Sequence, residues 1–353
     1  MTMRFDHDSL AQRVRFASGG ARSNLAAEVD LLGSQRIMVV ASSAEKELAE
    51  QVTAGLPVAV VHDEVVMHVP TDVADRARSV AEFHDVDLLV SVGGGSTTGL
   101  AKAVALTTGV PIVAVPTTYA GSEATNVWGL TEASKKTTGV DARVLPRAVI
   151  YDAALMVSLP VDLSIASGLN ALAHCVDSLW APRADPINAA LAAEGIRALN
   201  LGLPAVVDDP TGLDGREHSL YGAYLSAVAF ASAGSGLHHK ICHVLGGMFD
   251  LPHAQTHAVV LPHVLAFNAP SAPEAAVRIA AAFGSDDAVS GLAMLRSKLS
   301  APRALRDYGM PEDGIEAAAA AIVAAAPASN PTAVTQDNIV TLLQAAWEGA
   351  EPR

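Results

Sequence analysis

Three short apolar runs rich in β-branched residues, separated by segments of helical period, constrain the fold of this 353-residue chain more than any other feature. The runs are RIMVVA (36–41), LPVAVV (56–61) and VDLLVSVGGG (86–95). Such runs indicate strands that are buried on both faces of a parallel sheet. In the intervening segments, 43–55 and 70–84, apolar residues recur at intervals of three and four residues, which predicts helices. The alternation predicts a doubly wound parallel α/β sheet.

The second half of the chain has a different pattern. Two further apolar runs, 109–118 and 147–152, extend the α/β region, but after Pro160 long Ala/Leu-rich segments of helical period follow with no convincing strand. We therefore predict two domains: an α/β dinucleotide-binding domain over residues 1–157 and an all-α domain over residues 158–353.

The stretch ASNPTAVT, near the C-terminus, predicts a turn followed by a helix whose N-cap is Thr335.

The chain has two cysteines, Cys175 and Cys242. Two cysteines are too few for a disulfide framework, so we expect both to be buried free thiols.

Composition excludes several classes of partner. The net charge of -14 at pH 7 argues against nucleic acid, because the averaged field of the protein repels phosphates. Every run of 18 apolar residues is interrupted by breakers, and the start MTMRFDHDSL has no apolar stretch after its basic residue. We therefore expect a cytoplasmic protein that does not bind a membrane.

The glycine-rich segment SVGGGSTTG follows an apolar strand and opens a helix. Consecutive glycines let backbone N–H groups approach an anionic group at a helix N-terminus, and Lys102 on that helix adds charge. A triple glycine also serves tight strand-to-helix turns, and the order G-x-G-x-x-G is absent. The residues predicted to cradle phosphate are Gly93, Gly94, Gly95, Ser96 and Thr97.

The loops after two other strands are also polar. Thr117, Thr118 and Ser122 follow the run 109–118, at the strand end where open α/β sheets bind ligands, which together with the glycines predicts a dinucleotide site. After the first run, Ser42 stands where an acidic residue could have held the adenosine ribose. Without a carboxylate to repel a 2'-phosphate, we expect both NADH and NADPH to be used.

The stretch GLHHKICHVLGGMFDLPHAQTH (236–257) contains five histidines. His239 and His243 stand four residues apart and share one helix face, and the turn LGGMFDLP can bring His253 beside them. Upstream, His174 follows Asn170 by four residues on another helix. These five side chains are the predicted catalytic group. Three further histidines are predicted to have no catalytic role and to lie at the surface or in loops: His238, His257 and His263.

Five motifs resemble the iron-containing, group III alcohol dehydrogenase family in order and spacing over nearly the whole chain: GGGSTTGLAK, PTTYAGSE, LNALAHCVD, HHKICHVLGG and PHAQTHAVVLPHVLAFN. The resemblance implies a dinucleotide domain, a helical domain and an active site between them. It implies an extra active-site histidine at His243 and a lysine near the nicotinamide ribose at Lys136, in a segment typical of a solvated turn. The implied metal-ligand positions are Asn170, His174, His239 and His253.

Two positions depart from the family pattern. Asn170 and Gly99 stand where the family has aspartates. An amide is a poorer ligand than a carboxylate, and three neutral imidazoles with an amide leave the two charges of a cation uncompensated. We therefore expect the protein to bind a metal ion weakly. Any bound ion would be coordinated by the three imidazoles, and turnover would not require it. The histidines and Lys240 would instead attract an anionic substrate by charge and hydrogen bonding.

Asparagine at this position, together with GGGSTTG and GLHHKICH, resembles the branch of the family that reduces the carbon–carbon double bond of maleylacetate to 3-oxoadipate with NADH or NADPH. That branch acts in the breakdown of resorcinol, hydroxyquinol and chlorinated aromatics. It implies a small dicarboxylate substrate and a homodimer. We expect His243 to donate a hydrogen bond and a proton to the developing enolate, with the other histidines orienting the substrate.

Three alternatives stay open at this point. The first is a metal-dependent alcohol dehydrogenase of the same family, and the second is a lyase similar to dehydroquinate synthase, which uses NAD transiently and zinc tightly. The third is a dinucleotide-sensing protein without catalysis.

Overall fold

The computed structural model describes residues 3–132 and 135–352, without the side chains of Lys135 and Lys136. The chain divides into two compact units, one spanning Leu10–Leu159 and the other combining Met1–Ser9 with Pro160–Arg353. The α/β unit thus ends at Leu159 rather than at residue 157. The first residues belong with the helical unit because His7 Nδ1 lies 3.0 Å from Asp185 Oδ2.

The α/β unit is built on a parallel sheet, which confirms the predicted fold class. Within the described residues the sheet has six strands in the order β1-β8-β5-β4-β2-β3. The strands are β1 Arg13–Phe16, β2 Ile37–Val40, β3 Val58–His62, β4 Leu88–Gly93, β5 Ile112–Pro116 and β8 Ala148–Tyr151. All but β1 were predicted. That short strand escaped detection because arginines alternate with its apolar residues, as in an edge strand.

Four helices cover the two faces of this sheet: α1 Ala21–Leu32, α2 Lys46–Thr53, α3 Thr71–Phe83 and α4 Gly95–Thr108. Helices α1 and α2 form one hydrophobic core with the sheet, and α3 and α4 form the other. Strand β2 leads through α2 to β3 on one side, whereas β4 leads through α4 to β5 on the other. The strand order therefore changes direction between the neighbouring strands β2 and β4. Such a topological switch point leaves a crevice at the carboxyl ends of the two strands.

An antiparallel hairpin was missed from the sequence. Strands β6 (Val127–Glu132) and β7 (Lys135–Val140) pair, so the segment expected to be a solvated turn is largely a strand. Gly139 leaves room for the ring of Trp128, since a Cβ there would lie 2.6 Å from a ring atom. The backbone of Lys136 pairs with Thr131, but its side chain lies outside the described residues, so its predicted role at the ribose stays a prediction.

The helical unit contains nine α-helices within the described residues. They are α5 Val161–Ser178, α6 Pro186–Asp208, α7 Leu213–Ala233, α8 Leu237–Phe249, α9 His253–Asn268, α10 Pro273–Phe283, α11 Ala288–Lys298, α12 Ile315–Ala325 and α13 Gln336–Glu348. Helices α8, α9, α12 and α13 share one hydrophobic core. The predicted N-cap is confirmed: the Thr335 hydroxyl accepts from Asn338 N, and the Asn338 side chain accepts from Thr335 N.

Helix α6 is long and apolar enough, by length and composition alone, to cross a membrane. A core helix of a globular protein passes the same test, and α6 packs against both α5 and α7. Its N-terminus is capped by Asp185, whose carboxylate accepts from Ile187 N and Asn188 N.

Helix α9 carries two histidines of interest and an internal proline, Pro262. Proline has no N–H, so the carbonyl of Ala258, four residues earlier, loses its helical donor. The guanidinium of Arg296 on α11 donates to that carbonyl and, at 2.7 Å, to Pro302 O. Burial lowers the pKa of Arg296 to about 10. This side chain therefore keeps α9 hydrogen-bonded across its proline.

Candidate active site

Helix α5 presents three polar side chains on one face, Asn170, His174 and Asp177. Helices α8 and α9 both pack against α5. All three side chains are buried, and Asn170 and Asp177 are at most 1% exposed. A buried polar group requires a hydrogen-bond partner or a ligand, so this face of α5 is a candidate site.

The rings of the predicted histidines lie close together. His174 and His239 are stacked with centroids 4.9 Å apart, and Phe230 contacts both, at 4.8 Å and 4.3 Å. His243 lies one helical turn beyond His239, with ring centroids 6.2 Å apart. The pairs at helical spacing therefore converge, as the sequence predicted.

His253 reaches the cluster through a residue that was not expected there. His257 lies 4.4 Å from His253 and 5.0 Å from His239 by ring centroids. Both His253 and His257 are on α9, four residues apart. His253 is therefore connected to His239 of α8 through the ring of His257.

Asp177 is a member of the buried cluster that was not predicted from the sequence. Its carboxylate accepts from His239 Nδ1 at 2.7 Å and from the backbone N–H groups of Gly236 and His238 at 2.9 Å and 3.4 Å. It thereby caps the N-terminus of α8 and fixes the ring of His239. A Cβ on Gly236 would overlap the carboxylate, so glycine is required there. The signal was available: Asp177 follows His174 by three residues on the same helix face.

Burial sets the protonation of this cluster. Loss of solvent lowers the pKa of His174, His239 and His257 well below the usual value, and lowers that of His238 to about 3. These imidazoles are neutral at neutral pH, so they would contact an anionic substrate through hydrogen bonds, and the charge in the predicted group comes from Lys240. Because Asp177 accepts from His239 Nδ1, the proton of that neutral ring lies on Nδ1 and its Nε2 carries a lone pair.

The donor atoms present fit a divalent cation. Asn170 Oδ1, His174 Nδ1 and His239 Nε2 are buried and have no hydrogen-bond partner in the part of the chain that the structure describes. A carboxylate behind a ligating imidazole raises its basicity, and Asp177 supplies one to His239. The expectation that both charges of a cation would be left uncompensated was therefore wrong, because it omitted Asp177.

Three further side chains form a second buried group. His238 Nε2 lies 2.9 Å from His257 Nδ1 and 3.6 Å from Cys242 Sγ. The expectation of surface positions was wrong for these two histidines and for His263, which are at most 4% exposed. Among the described residues this group has its ligand atoms within 4.8 Å of one another, but the 2.9 Å contact is a hydrogen bond between the two rings. Both cysteines are buried free thiols, as predicted.

Lys240 is partly buried on α8, beside His239. Its positive charge is close enough to contribute to the lowered pKa of His239, after burial and His243. Its predicted role in binding a substrate carboxylate stays a prediction.

In the α/β unit, the predicted phosphate cradle lies at the carboxyl end of β4. Gly94 is the N-cap of α4 and has no side chain to cap the helix, so the first N–H groups of α4 are without an intrahelical acceptor. The glycines also have a packing role. A Cβ at Gly94 would lie 2.9 Å from Thr118 Cγ2, and one at Gly95 would lie 3.3 Å from Ala120 Cβ. Close backbone packing and the capacity to bind phosphate coexist here.

The charge that the sequence analysis assigned to this cradle is not where it was expected. Lys102 is fully buried, and its ammonium donates to the carbonyl oxygens of Ser122, Thr125 and Val127 at 2.6 to 2.8 Å. It therefore fixes the loop after β5 rather than adding charge to the cradle. The carbonyl of Ser122, not its hydroxyl, is the atom held by Lys102.

A carboxylate does lie at the strand ends, contrary to expectation. Glu45 Oε2 accepts from Ser42 Oγ at 2.9 Å, and Glu45 Oε1 accepts from Thr117 Oγ1 at 2.6 Å. The premise that no carboxylate lies near Ser42 was wrong, because only the residues immediately after β2 were considered. The pattern Ser42-x-x-Glu45, a capping-box signature, was the available signal.

Comparison with known proteins agrees with this architecture. The model for "Iron-containing alcohol dehydrogenase" matches residues 11–153, and the model for the C-terminal domain of the Fe-containing alcohol dehydrogenase family matches residues 164–347. The chain belongs to the iron-containing alcohol dehydrogenase family. Proteins of this family are oxidoreductases, which implies a nicotinamide dinucleotide as cofactor here.

Individual members of the family are similar over their full lengths. A maleylacetate reductase of Sphingobium indicum is 47% identical over 99% of both chains. The solved iron-containing alcohol dehydrogenase of Corynebacterium glutamicum is 61% identical, with a TM-score of 0.98 over 100% of this chain and 99% of that chain. The maleylacetate reductase structure from Agrobacterium tumefaciens is 40% identical, with a TM-score of 0.94 over 99% of this chain and 100% of that chain.

Proposed function

We propose that this protein reduces the carbon–carbon double bond of maleylacetate to give 3-oxoadipate, with NADH or NADPH as the reductant. The observation that carries the proposal is the identity of 47% with a maleylacetate reductase over 99% of both chains. The site supports it, because a neutral amide stands at position 170 and partly buried Lys240 lies beside the histidine cluster, where it can serve a dicarboxylate.

The chemistry required of the protein follows from the substrate. When bound, the cofactor supplies a hydride to the carbon that lies β to the ketone. The electron pair of the double bond then moves to the ketone oxygen, giving an enolate, and a proton added at the α carbon completes the reduction. The protein has to orient the diacid, stabilise the negative charge on oxygen and supply one proton.

His243 is the residue we assign to the enolate and its proton. It adjoins His239 at 6.2 Å between ring centroids, and its side chain is partly exposed, so it can recover a proton from solvent. His239 has a different role, because its Nε2 lone pair accepts rather than donates while Asp177 holds Nδ1–H. His174, His253 and Asn170 shape the substrate pocket around these two, and Lys240 is assigned to a substrate carboxylate.

A divalent cation held by Asn170, His174 and His239 would act as a Lewis acid on the ketone oxygen. We propose that turnover does not require it. Asn170 contributes no charge, so affinity rests on neutral donors and the one carboxylate behind His239. An alkene already conjugated to a ketone also needs less polarisation than an isolated carbonyl.

A spectrophotometric assay tests the proposed reaction. Purified protein is mixed with maleylacetate and either NADH or NADPH, and oxidation of the cofactor is followed by absorbance, with product identified by mass spectrometry. We expect 3-oxoadipate to form at the rate of cofactor oxidation. Formation of an alcohol instead, or no turnover with either cofactor, would overturn the assignment.

A chelator arm of the same assay tests the metal. Metal content is measured before and after dialysis against EDTA. We expect most activity to survive removal of the metal. Activity that disappears with the metal and returns when iron or zinc is added back would show that turnover requires it.

The observed donor set favours one second candidate, a metal-dependent alcohol dehydrogenase. Two observations are in its favour. Asn170 Oδ1, His174 Nδ1 and His239 Nε2 have no hydrogen-bond partner among the described residues while Asp177 lies behind His239, and the chain is similar to an iron-containing alcohol dehydrogenase structure. It predicts oxidation of small alcohols with NAD⁺ or NADP⁺ that depends on added iron or zinc. We expect such activity to be absent or far below that with maleylacetate.

A further inference from the structure

We infer that Glu45 is the residue that determines cofactor preference, favouring NADH over NADPH by repelling the 2'-phosphate. The inference rests on the proposed function only in requiring that the α/β unit binds a nicotinamide dinucleotide. It refines the expectation that both NADH and NADPH are used, which took Ser42 as the residue facing the adenosine ribose.

The position of Glu45 places its carboxylate at the ligand end of the sheet. Glu45 precedes α2, so it follows β2 at the carboxyl end, at the switch point between β2 and β4. A Cβ at Gly93 would lie 2.6 Å from Glu45 Oε2, which shows that the carboxylate reaches across to the end of β4. Gly93 is the first residue of the predicted phosphate cradle, and Gly94, the N-cap of α4, and Gly95 follow directly.

Two hydroxyl groups hold the carboxylate in this position. Ser42 Oγ donates to Oε2 at 2.9 Å, and Thr117 Oγ1, from the loop after β5, donates to Oε1 at 2.6 Å. The side chain is therefore fixed from two strand-end loops and its charge does not swing into solvent. Glu45 itself is only partly buried, so a ligand can contact it.

The carboxylate keeps free acceptor capacity. Each oxygen of a carboxylate has two acceptor positions, and each oxygen of Glu45 accepts one of these hydroxyl bonds. The remaining positions suit ribose hydroxyls, which donate. An acidic residue that binds the ribose 2'-hydroxyl is the usual basis of NAD selectivity in doubly wound folds.

The same charge disfavours NADPH. A 2'-phosphate carries roughly 1.5 to 2 negative charges at neutral pH and offers no donor equivalent to the hydroxyl it replaces. The phosphate would lie close to the fixed carboxylate of Glu45. Both groups are negative, and electrostatic repulsion is strongest at short distance. Selectivity then arises from repulsion of one cofactor as well as attraction of the other.

Direct binding to the variant Glu45→Gln tests the inference. Glutamine keeps the length of the side chain and an acceptor oxygen but removes the charge. Affinities of NADH and NADPH are measured by fluorescence titration without substrate, in wild type and variant. We expect wild type to bind NADH about 10- to 100-fold more tightly than NADPH, and the variant to lose most of that ratio, chiefly through tighter binding of NADPH.

The matched control is Glu47→Gln, the same change two residues further on, at an exposed position of α2. It should leave the NADH to NADPH ratio within about twofold of wild type. Raising the salt concentration should shrink the wild-type ratio and leave the small ratio of Glu45→Gln almost unchanged, because the effect is electrostatic.

Two results would overturn the inference. One is equal binding of both cofactors by wild type. The other is a parallel loss of affinity for both cofactors in Glu45→Gln, which would show that the carboxylate only braces Ser42 and Thr117. Both readouts are independent of maleylacetate, so a protein that binds NADH selectively but fails to reduce maleylacetate would refute the proposed reaction and leave this inference standing.

Discussion

In the helical unit the centre of the candidate site, formed by Asn170, Asp177 and His239, is almost fully buried, whereas at the strand ends of the α/β unit the candidate site consists of backbone N–H groups, hydroxyls and the partly exposed carboxylate of Glu45. Burial in the first region lowers the pKa of His239 and leaves its Nε2 without a hydrogen-bond partner among the residues that the structure describes. In the second region the positions of the polar groups are set by the carboxyl ends of the strands. Hydrogen bonds such as that from Thr117 to Glu45 hold these groups in place.

The difference determines what each region is suited to do. A solvated cradle of glycines binds a ligand that carries its own charge, because backbone dipoles and hydroxyls need no change of protonation. A buried group of neutral imidazoles is suited to directing one proton or one lone pair, since each nitrogen either donates or accepts. Substitutions should therefore change binding in the α/β unit and turnover in the helical unit.

His243→Ala should have the largest effect. If His243 supplies the donor and proton for the enolate, kcat for maleylacetate should fall by about two to three orders of magnitude while NADH binding is unchanged. Steady-state kinetics and fluorescence titration check the two halves of this statement. His218→Ala on α7, a partly exposed histidine outside the cluster, is the control and should keep wild-type kcat. Retention of most activity by His243→Ala would remove it from the mechanism.

Asp177→Asn should have the next largest effect. The amide removes the negative charge behind His239 and offers N–H where Nδ1–H now donates, so the ring should turn or change tautomer. We expect kcat to fall by about 10- to 100-fold, with KM for NADH unchanged.

Asp185→Asn provides the matched control for this change. Asp185 is also a buried aspartate that caps a helix, but it contacts His7 and not the cluster. Both variants should lose similar thermal stability, and Asp177→Asn alone should lose kcat. An equal loss of kcat in both would mean that Asp177 acts only through folding.

Much of the α/β unit could be predicted from the sequence because its signals are local. The apolar runs gave five of the strands, and the glycines after β4 and hydroxyls after β5 gave the cradle, since each follows directly from the end of a strand. The edge strand β1 and the hairpin β6–β7 could not be predicted this way. The residues of β1 and β6 are at most half buried, so the apolar pattern of these strands is weak.

In the helical unit, the sequence predicted which polar side chains share a helix face, but not how deeply they are buried or which hydrogen bonds they make. Spacing of four placed His239 with His243 and Asn170 with His174. Spacing does not show which nitrogen lacks a partner or how deeply a ring is buried, so the neutrality of His239 and the burial of His257 required the packed structure. The spacing of Asp177 from His174 and of Glu45 from Ser42 was a local signal, but it does not show that these carboxylates contact His239 and Thr117, which lie far away in the sequence.

Asn170→Asp tests the donor set by adding the missing charge. A carboxylate beside His174 and His239 should raise affinity for zinc or iron by about tenfold or more, measured by competition with a chelator of known affinity. Asn200→Asp on α6, which introduces the same charge away from the cluster, should leave affinity unchanged. Equal affinities in wild type and Asn170→Asp would contradict the assignment of position 170 to the metal-ligand group.

The smallest effect is expected from Lys102, where a buried charge holds a loop of the α/β unit. Burial lowers its pKa to about 7, although the carboxylate of Glu123 opposes the shift. Below that pH both the folded and unfolded states carry the ammonium. Between about 7 and about 10.5 the unfolded chain binds more protons, so this residue makes stability rise with pH over that window.

Lys102→Met should remove that rise. Its bonds to three carbonyl oxygens favour the charged form and reduce the effect, so we expect a difference of about 1 kcal/mol between about pH 7.5 and about pH 9.5, seen as a shift of the urea midpoint in wild type relative to the variant. Lys46→Met, at an exposed position of α2, is the control. Parallel midpoints for wild type and Lys102→Met would mean that the buried lysine stays charged across this range, held by its oxygen acceptors against the cost of burial.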